Sequence, residues 1–130
     1  MEALRIMPPI PFTTPATLSQ DAKIGKFNVK AGDDIMINIT GLHMHSREWQ
    51  RPYEFLPQRF DNNDRLSLTA DGKKRNPMSW VPFNGGKRVC FGKTFAEVNL
   101  KIVTTYLSQY FNFNMVDNNK NSNGIGFPLC

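Results

Sequence analysis

The sequence lacks the features that mark several common classes of protein. It has only two cysteines, Cys90 and Cys130, which are forty residues apart, and residues 1–30 do not have the pattern of a signal peptide, so a disulfide framework is not expected. No apolar run is long enough to predict a transmembrane helix. Sixteen Lys and Arg against eleven Asp and Glu give a net charge of +5, but these cations are scattered and form no basic helix. The chain is therefore not expected to bind nucleic acid.

Long regular structure is also scarce. Nine prolines and nine glycines in 130 residues leave few stretches that could close a large core. Residues 2–6 have the pattern of the last turns of a helix that stops at Pro8-Pro9, with almost nothing before them. This pattern predicts a piece of a larger domain.

The first half of the chain predicts a hairpin and a single helical turn. Alternating runs at 27–30 and 35–39 are joined through Ala31-Gly32-Asp33-Asp34, which favours a β-hairpin. Residues 46–50 predict one helical turn with Ser46 as its N-cap.

The second half predicts a meander and one long helix. Residues 61–79 are polar and aperiodic, with Asp-Gly and Asn-Pro turn signals, and indicate an irregular meander. Residues 93–111 carry two apolar stripes at helical spacing, which predicts a helix buried on two sides. Short terminal strands are expected at 111–113 and 124–129.

One cysteine lies in a loop whose residues suit a metal-bound thiolate. Cys90 is part of 83–92, Phe-Asn-Gly-Gly-Lys-Arg-Val-Cys-Phe-Gly, with Arg88 two residues before it. A thiolate needs positive charge or N–H donors nearby, and Arg88 and the start of the following helix would supply them. Gly86 and Gly92 remove side chains where the backbone would approach a large flat group. The alternative is a buried cysteine in an ordinary glycine-rich turn.

The spacing from Phe83 to Gly92 resembles the haem-ligand signature of the cytochrome P-450 family at every defining position. The resemblance implies haem b with Cys90 as the ligand of its iron, Phe83 against the thiolate side of the macrocycle, and Arg88 reaching a propionate. The residues that it assigns to haem binding are Phe83, Gly86, Arg88, Cys90, Gly92 and Ala96.

Two further motifs match the same family in the same order. Glu2 and Arg5 have the Glu-x-x-Arg spacing, and residues 52–60 resemble Pro-x-x-Phe-x-Pro-Glu-Arg-Phe, with Gln58 in place of the usual glutamate. By resemblance, Glu2, Arg5 and Arg59 form a buried charge network that locks the meander beneath the cysteine loop. Such pairing needs the rigid fork of arginine. Without the resemblance, the spacing of Glu2 and Arg5 predicts only a surface ion pair.

The resemblance covers essentially the whole chain but only the C-terminal part of the family fold. Residues 1–130 are expected to be mainly α with small β-sheets, an α+β segment that binds haem and is not a complete domain. The intact protein is expected to be a eukaryotic-type monooxygenase that inserts one atom of O2 into a small apolar organic substrate. Its electrons would come from NADPH through a reductase, and an N-terminal anchor outside this sequence would hold it at the endoplasmic reticulum membrane. This segment alone is expected to be inactive, with no catalytic residue beyond the haem ligand.

Other functions remain open at this point. The chain could be a non-catalytic haem-binding fragment, or part of a haem-thiolate isomerase or peroxygenase, which shares the loop but needs no reductase. His43 and His45 could form a zinc site with the two cysteines, although their spacing fits no closed structural-zinc pattern. Lys87 and Lys93 flank the cysteine loop and are expected to dock an acidic electron donor, unless they are simply solvated lysines.

Overall fold

The computed structural model describes residues 1–114. The chain divides into two compact units, 1–88 and 89–130, and each is described by itself. In the first unit, the helices and strands are α1 (Glu2–Ile6), β1 (Ala16–Thr17), β2 (Ala22–Ile24), β3 (Phe27–Val29), β4 (Asp34–Ile35) and α2 (Ile39–His43). Short 3-10 helices cover Pro57–Phe60, Arg65–Ser67, Pro77–Ser79 and Gly86–Arg88.

The helix end expected at residues 2–6 is α1. Its last backbone hydrogen bond runs from Met7 N to Ala3 O at 2.8 Å, and Pro8-Pro9 follow directly. Neither proline can donate a further helical hydrogen bond, so the helix ends there. The buried face of α1 carries Glu2, Arg5 and Ile6.

The predicted hairpin between 27–30 and 35–39 is wrong. Strand β3 pairs antiparallel with β2, which precedes it, so that Ala22 faces Val29 and Ile24 faces Phe27. A two-residue turn, Gly25-Lys26, joins these strands, and Gly25 has a φ of +57°. Glycine at the first position of a two-residue hairpin loop suits the right-handed twist of the flanking strands. Strand β4 pairs instead with β1.

The chain does turn at residues 46–50 as predicted, with Trp49 N donating to His45 O at 2.9 Å, but Ser46 is not the cap of this turn. A separate helix, α2, was not predicted, and the side chain of Asn38 caps it by accepting a hydrogen bond from Gly41 N at 2.7 Å. The run expected to continue as a strand to Ile39 therefore becomes helical at that residue. Ser46 caps no helix, and the following turn is closed by backbone hydrogen bonds to His45 O.

The meander expected at 61–79 is present and contains two of the short 3-10 helices and one isolated bridge between Leu68 and Lys74. Apolar burial in the described residues is slight. Their buried apolar side chains are Ile6, Pro8, Ile39 and Trp49, and their buried polar ones are Glu2, Arg5, His43, Arg59, Thr69 and Ser79. Polar and charged groups thus make up most of the interior of the first unit.

The second unit contains the long helix, α3 (Lys93–Tyr110), which ends one residue before the predicted boundary. None of its side chains is buried, and Phe95 and Ile102 are 76% and 62% exposed. Residues 111–113 form no strand, so that prediction is wrong, and the strand predicted at 124–129 lies outside the described residues. Within residues 1–114, no helix has the length and apolar character needed to cross a membrane.

Candidate functional site

Glu2, Arg5 and Arg59 meet in the interior of the first unit. Arg5 donates from Nε to Glu2 Oε2 at 2.8 Å and from Nη2 to Glu2 Oε1 at 2.9 Å, which is the two-pronged pairing that a guanidinium makes with a carboxylate. Arg59 Nε donates to Glu2 Oε1 at 3.0 Å, and Leu56 N donates to the same oxygen at 3.0 Å. All three charged side chains are almost fully buried. This is the arrangement that the resemblance implies for these residues.

One carboxylate cannot balance two buried guanidinium groups, so backbone carbonyls take up the remaining donors. Arg5 donates to the carbonyl oxygens of His43 at 2.9 Å and Pro52 at 2.7 Å. Arg59 donates to the carbonyl oxygens of Gln50, Arg51 and Glu54. The two arginines thereby fix the backbone from the end of α2 to residue 54 against α1.

The electrostatics of this network favour its charged form. Burial alone would raise the pKa of Glu2, but the hydrogen bonds from Arg5 and Leu56 N and the charges of Arg5 and Arg59 bring it below its ordinary value. Burial and the charge of Arg5 lower the pKa of Arg59, against the attraction of Glu2. Glu2 is therefore the anion on which two buried cations depend.

The segment that leads into the cysteine loop is tied to the same region. Val81 N donates to His43 Nε2 at 2.9 Å, and Trp49 Nε1 donates to Ser79 O at 3.3 Å. Since Nε2 accepts a hydrogen bond, the neutral imidazole carries its proton on Nδ1, which is buried without a partner. The sequence analysis placed His43 only in a possible zinc site, and it missed this contact because Val81 is distant in sequence.

In the first unit, the cysteine loop turns sharply. Phe83 is half-buried, and the next residue, Asn84, has a φ of +60°. Gly86 has a φ of +65°, in the left-handed region that favours glycine, and opens the 3-10 helix that ends at Arg88. Lys87 and Arg88 are both exposed.

In the second unit, the rest of the signature leads into α3. Cys90 is a free, exposed thiol, and its carbonyl accepts a hydrogen bond from Lys93 N at 3.2 Å. Gly92 is the N-cap of α3, and its carbonyl accepts from Ala96 N at 2.9 Å. A Cβ at Gly92 would lie 3.8 Å from Cys90 Sγ, on the side of the backbone that faces the thiol.

These residues fit a haem group. The sulfur is accessible, it is the soft ligand that haem iron accepts in thiolate proteins, and the adjacent Gly92 presents bare backbone beside it. Residues 1–114 contain no group of three or more His, Cys, Asp or Glu side chains that could hold a metal ion by themselves.

Comparison with known proteins gives the family. The cytochrome P450 family model matches residues 1–127. Human steroid 17-alpha-hydroxylase/17,20 lyase is 32% identical over 127 residues, which are 98% of this chain and 24% of the relative. The horse enzyme of the same name is 34% identical over 129 residues, which are 99% of this chain and 24% of the relative. The chain thus spans about a quarter of the length of these curated relatives.

Solved structures agree with the sequence comparison. Cyanobacterial CYP120A1 with bound retinoic acid superposes with a TM-score of 0.72 at 31% identity, covering 83% of this chain and 24% of that one. A zebrafish cytochrome P450 with abiraterone gives a TM-score of 0.65 at 29% identity, with coverages of 83% and 23%. The fold is accordingly a part of the cytochrome P450 fold, with helices and small antiparallel sheets as expected. On these matches, the chain belongs to the cytochrome P450 family.

Proposed function

We propose that residues 1–130 are the C-terminal haem-binding segment of a monooxygenase that inserts one atom of O2 into an apolar organic substrate. The observation that carries this proposal is the exposed, unpaired Cys90 thiol directly before α3, inside the complete signature from Phe83 to Gly92. Haem b would be held through this sulfur. The rest of the family fold would lie in the part of the protein that this chain does not include.

The residues of the loop have distinct roles in this proposal. Cys90, as thiolate, is the iron ligand, and the haem that it holds supplies oxygen activation favoured by thiolate ligation. Gly92 leaves the backbone bare beside the sulfur, and Gly86 provides the left-handed turn. Arg88, which is exposed, pairs with a propionate. The two remaining haem-binding positions, which would pack against the macrocycle, are Phe83 and Ala96.

The charge network has a supporting role. Glu2, Arg5 and Arg59 fix α1 and the backbone of residues 43–54 in one arrangement, and His43 and Trp49 attach the segment before the loop to it. A ligand loop supported in this way keeps its geometry when the haem binds and when the charge of the haem changes.

The substrate and partners follow from the family at a coarser level. The names of the relatives describe hydroxylation and lyase reactions on a steroid, which belongs to the apolar class proposed here. Electrons would come from NADPH through a reductase that docks near Lys87 and Lys93. An anchor outside this sequence would place the intact protein at the endoplasmic reticulum membrane.

The carbon monoxide difference spectrum of the reduced, haem-loaded full-length protein tests the ligand. The wild type and Cys130→Ser, which serves as the matched cysteine control, should both show the red-shifted Soret band of thiolate ligation. Cys90→Ser should lose it, and a retained band would overturn the assignment. Turnover that requires NADPH and a reductase supports the monooxygenase. Turnover without them would instead identify an isomerase or peroxygenase, and haem binding without turnover a non-catalytic protein.

A further inference from the structure

Arg75 occupies an unusual place for a residue that belongs to none of the sequence motifs. Its Cζ lies 4.2 Å from the centroid of the Trp49 ring and 5.9 Å from that of Phe60. Its Nη1 donates to Leu66 O at 2.8 Å and its Nη2 to Arg59 O at 2.6 Å. The guanidinium thus stacks on an aromatic face while it bonds two backbone carbonyls of the meander.

This position is electrostatically costly. Burial and the neighbouring charge of Arg59 lower the pKa of Arg75, because both disfavour a further cation there. No carboxylate within the described residues forms an ion pair with Arg75. The cation is therefore held by the ring of Trp49 and by the carbonyl oxygens, whose geometry suits a planar fork and not a lysine ammonium.

Arg75 also connects the charge network with the segment that precedes the cysteine loop, because it donates to the carbonyl oxygen of Arg59. The next residue, Asn76, begins the segment 76–83 that leads into the loop, and Asn76 N donates to Glu48 Oε2 at 2.7 Å. Trp49, on which Arg75 stacks, donates through its indole N–H to Ser79 O in the same segment. Removing the guanidinium would leave the Trp49 ring without its nearest cation and the carbonyl of Arg59 without this donor.

We propose that Arg75 is a positioning residue for the Cys90 ligand: it holds the segment 76–83 against Trp49 and Arg59, so that the loop presents the thiolate to haem iron. This inference rests on the proposed function, because it assumes that Cys90 is the ligand. It adds a residue from outside the family signature to the support of that ligand.

The test compares Arg75→Met with Arg65→Met in the haem-loaded full-length protein. Arg65 is exposed and lies in the same meander, so it is a matched control for the loss of an arginine. For each variant, total haem is measured independently. The rate at which thiolate ligation is lost is followed as the conversion of the red-shifted Soret band of the carbon monoxide complex into the unshifted band. Arg75→Met should convert about tenfold faster than wild type at unchanged total haem, since outer supports of a metal ligand typically matter by that factor or more. Arg65→Met should convert at the wild-type rate.

A merely structural role predicts a different result. It would lower haem content and melting temperature while the haem that remains kept the wild-type conversion rate, and this outcome would overturn the proposal. If Arg75→Met gives no soluble protein, Arg75→Lys is used in its place. Lysine keeps the charge but cannot stack on the ring and donate to both carbonyl oxygens, so faster conversion is expected here too. A wild-type conversion rate in Arg75→Lys would overturn the proposal. Retention of the red-shifted band in Cys90→Ser would instead refute the proposed function, so the two failures are distinguishable.

Discussion

Arg59 Nε lies 3.0 Å from Glu2 Oε1, although the two residues are 57 positions apart in the chain. The same oxygen accepts hydrogen bonds from Arg5 and from Leu56 N, so a single carboxylate ties α1 to the backbone before the meander. Because all three charged side chains are buried, each depends on the others for its stability.

Removing one partner of this network should be strongly destabilising. Arg59→Ala would leave Glu2 with one guanidinium and several carbonyls without donors, and breaking such a buried pair costs about 3–5 kcal/mol in the free energy of unfolding. Urea unfolding of the full-length protein measures the loss, and its haem content should fall in parallel. Arg51→Ala removes an arginine whose ion pair with Glu54 is exposed, and should change little. Wild-type haem content and melting temperature in Arg59→Ala would contradict the network's role.

His43 should make the stability of the protein depend on pH in mildly acidic solution. Burial is the main cause that lowers the pKa of His43 below its ordinary 6.5, and the charge of Arg5 adds to it, so the folded state favours the neutral imidazole. The stabilisation by the neutral form is complete above pH 6.5, the unfolded value, and is lost as pH falls below it towards the folded pKa. Protonation at Nε2 would also break the hydrogen bond from Val81 N.

The measurement is the difference in unfolding free energy between pH 7 and pH 5. Glu2 contributes little to this difference. The pKa of Glu2 is lowered from 4.5, so the stabilisation by its ionised form is lost mainly below the interval from pH 7 to pH 5. His43→Gln, which keeps an acceptor for Val81 N but cannot gain a charge, should shrink this difference. His45→Gln changes an exposed imidazole and should leave it as in wild type. Equal pH dependence in wild type and His43→Gln would exclude His43 as its source.

The two loop glycines should respond differently to alanine. Gly86 has a φ of +65°, and an L-residue in the left-handed region costs about 1–2 kcal/mol, so Gly86→Ala should destabilise the protein with or without haem. Gly92 has an ordinary φ of −82°, and a Cβ there would make a van der Waals contact of 3.8 Å with Cys90 Sγ. Gly92→Ala should therefore leave the haem-free protein unchanged and weaken haem binding. A haem affinity equal to wild type would show that the macrocycle does not approach this backbone.

The helices that sequence reasoning predicted well have strong local signals. Pro8-Pro9 stop α1, and the apolar stripes between residues 93 and 111 mark α3 to within one residue. The prediction of the hairpin was wrong because β3 has a turn on either side of it. The two-residue turn at Gly25-Lys26 pairs β3 with β2 more tightly than the longer connection at residues 31–34 could pair it with β4. Helix α2 was missed because its signal is one capping side chain, Asn38, inside an apolar run.

In the candidate site too, some contacts could be predicted from the sequence and others could not. The haem-binding roles of the cysteine-loop residues stay a prediction. The contacts of Glu2 with Arg5 and Arg59 could be predicted because family spacing marks these residues, even across 57 positions. Arg75 could not, because its partners are an aromatic face and two backbone carbonyls, which leave no complementary charge in the sequence to pair with it. His43 was misjudged for a related reason, since its partner is the backbone N–H of Val81.

Lys87 and Lys93 should steer the encounter with an acidic electron donor. Both flank Cys90 in sequence and both are exposed, so their charges act on a partner in solution before contact. Charge reversal, Lys87→Glu with Lys93→Glu, should slow the first electron transfer through the association rate, while the rate within the formed complex stays the same. Added salt should shrink the gap between variant and wild type, because it screens exposed charges over about 10 Å at 0.1 M ionic strength. Reversal of two exposed lysines that are distant from the loop in sequence, Lys23 and Lys26, controls for net charge alone. Stopped-flow reduction across a salt series measures all three proteins, and equal rates at low salt would remove Lys87 and Lys93 from the docking surface.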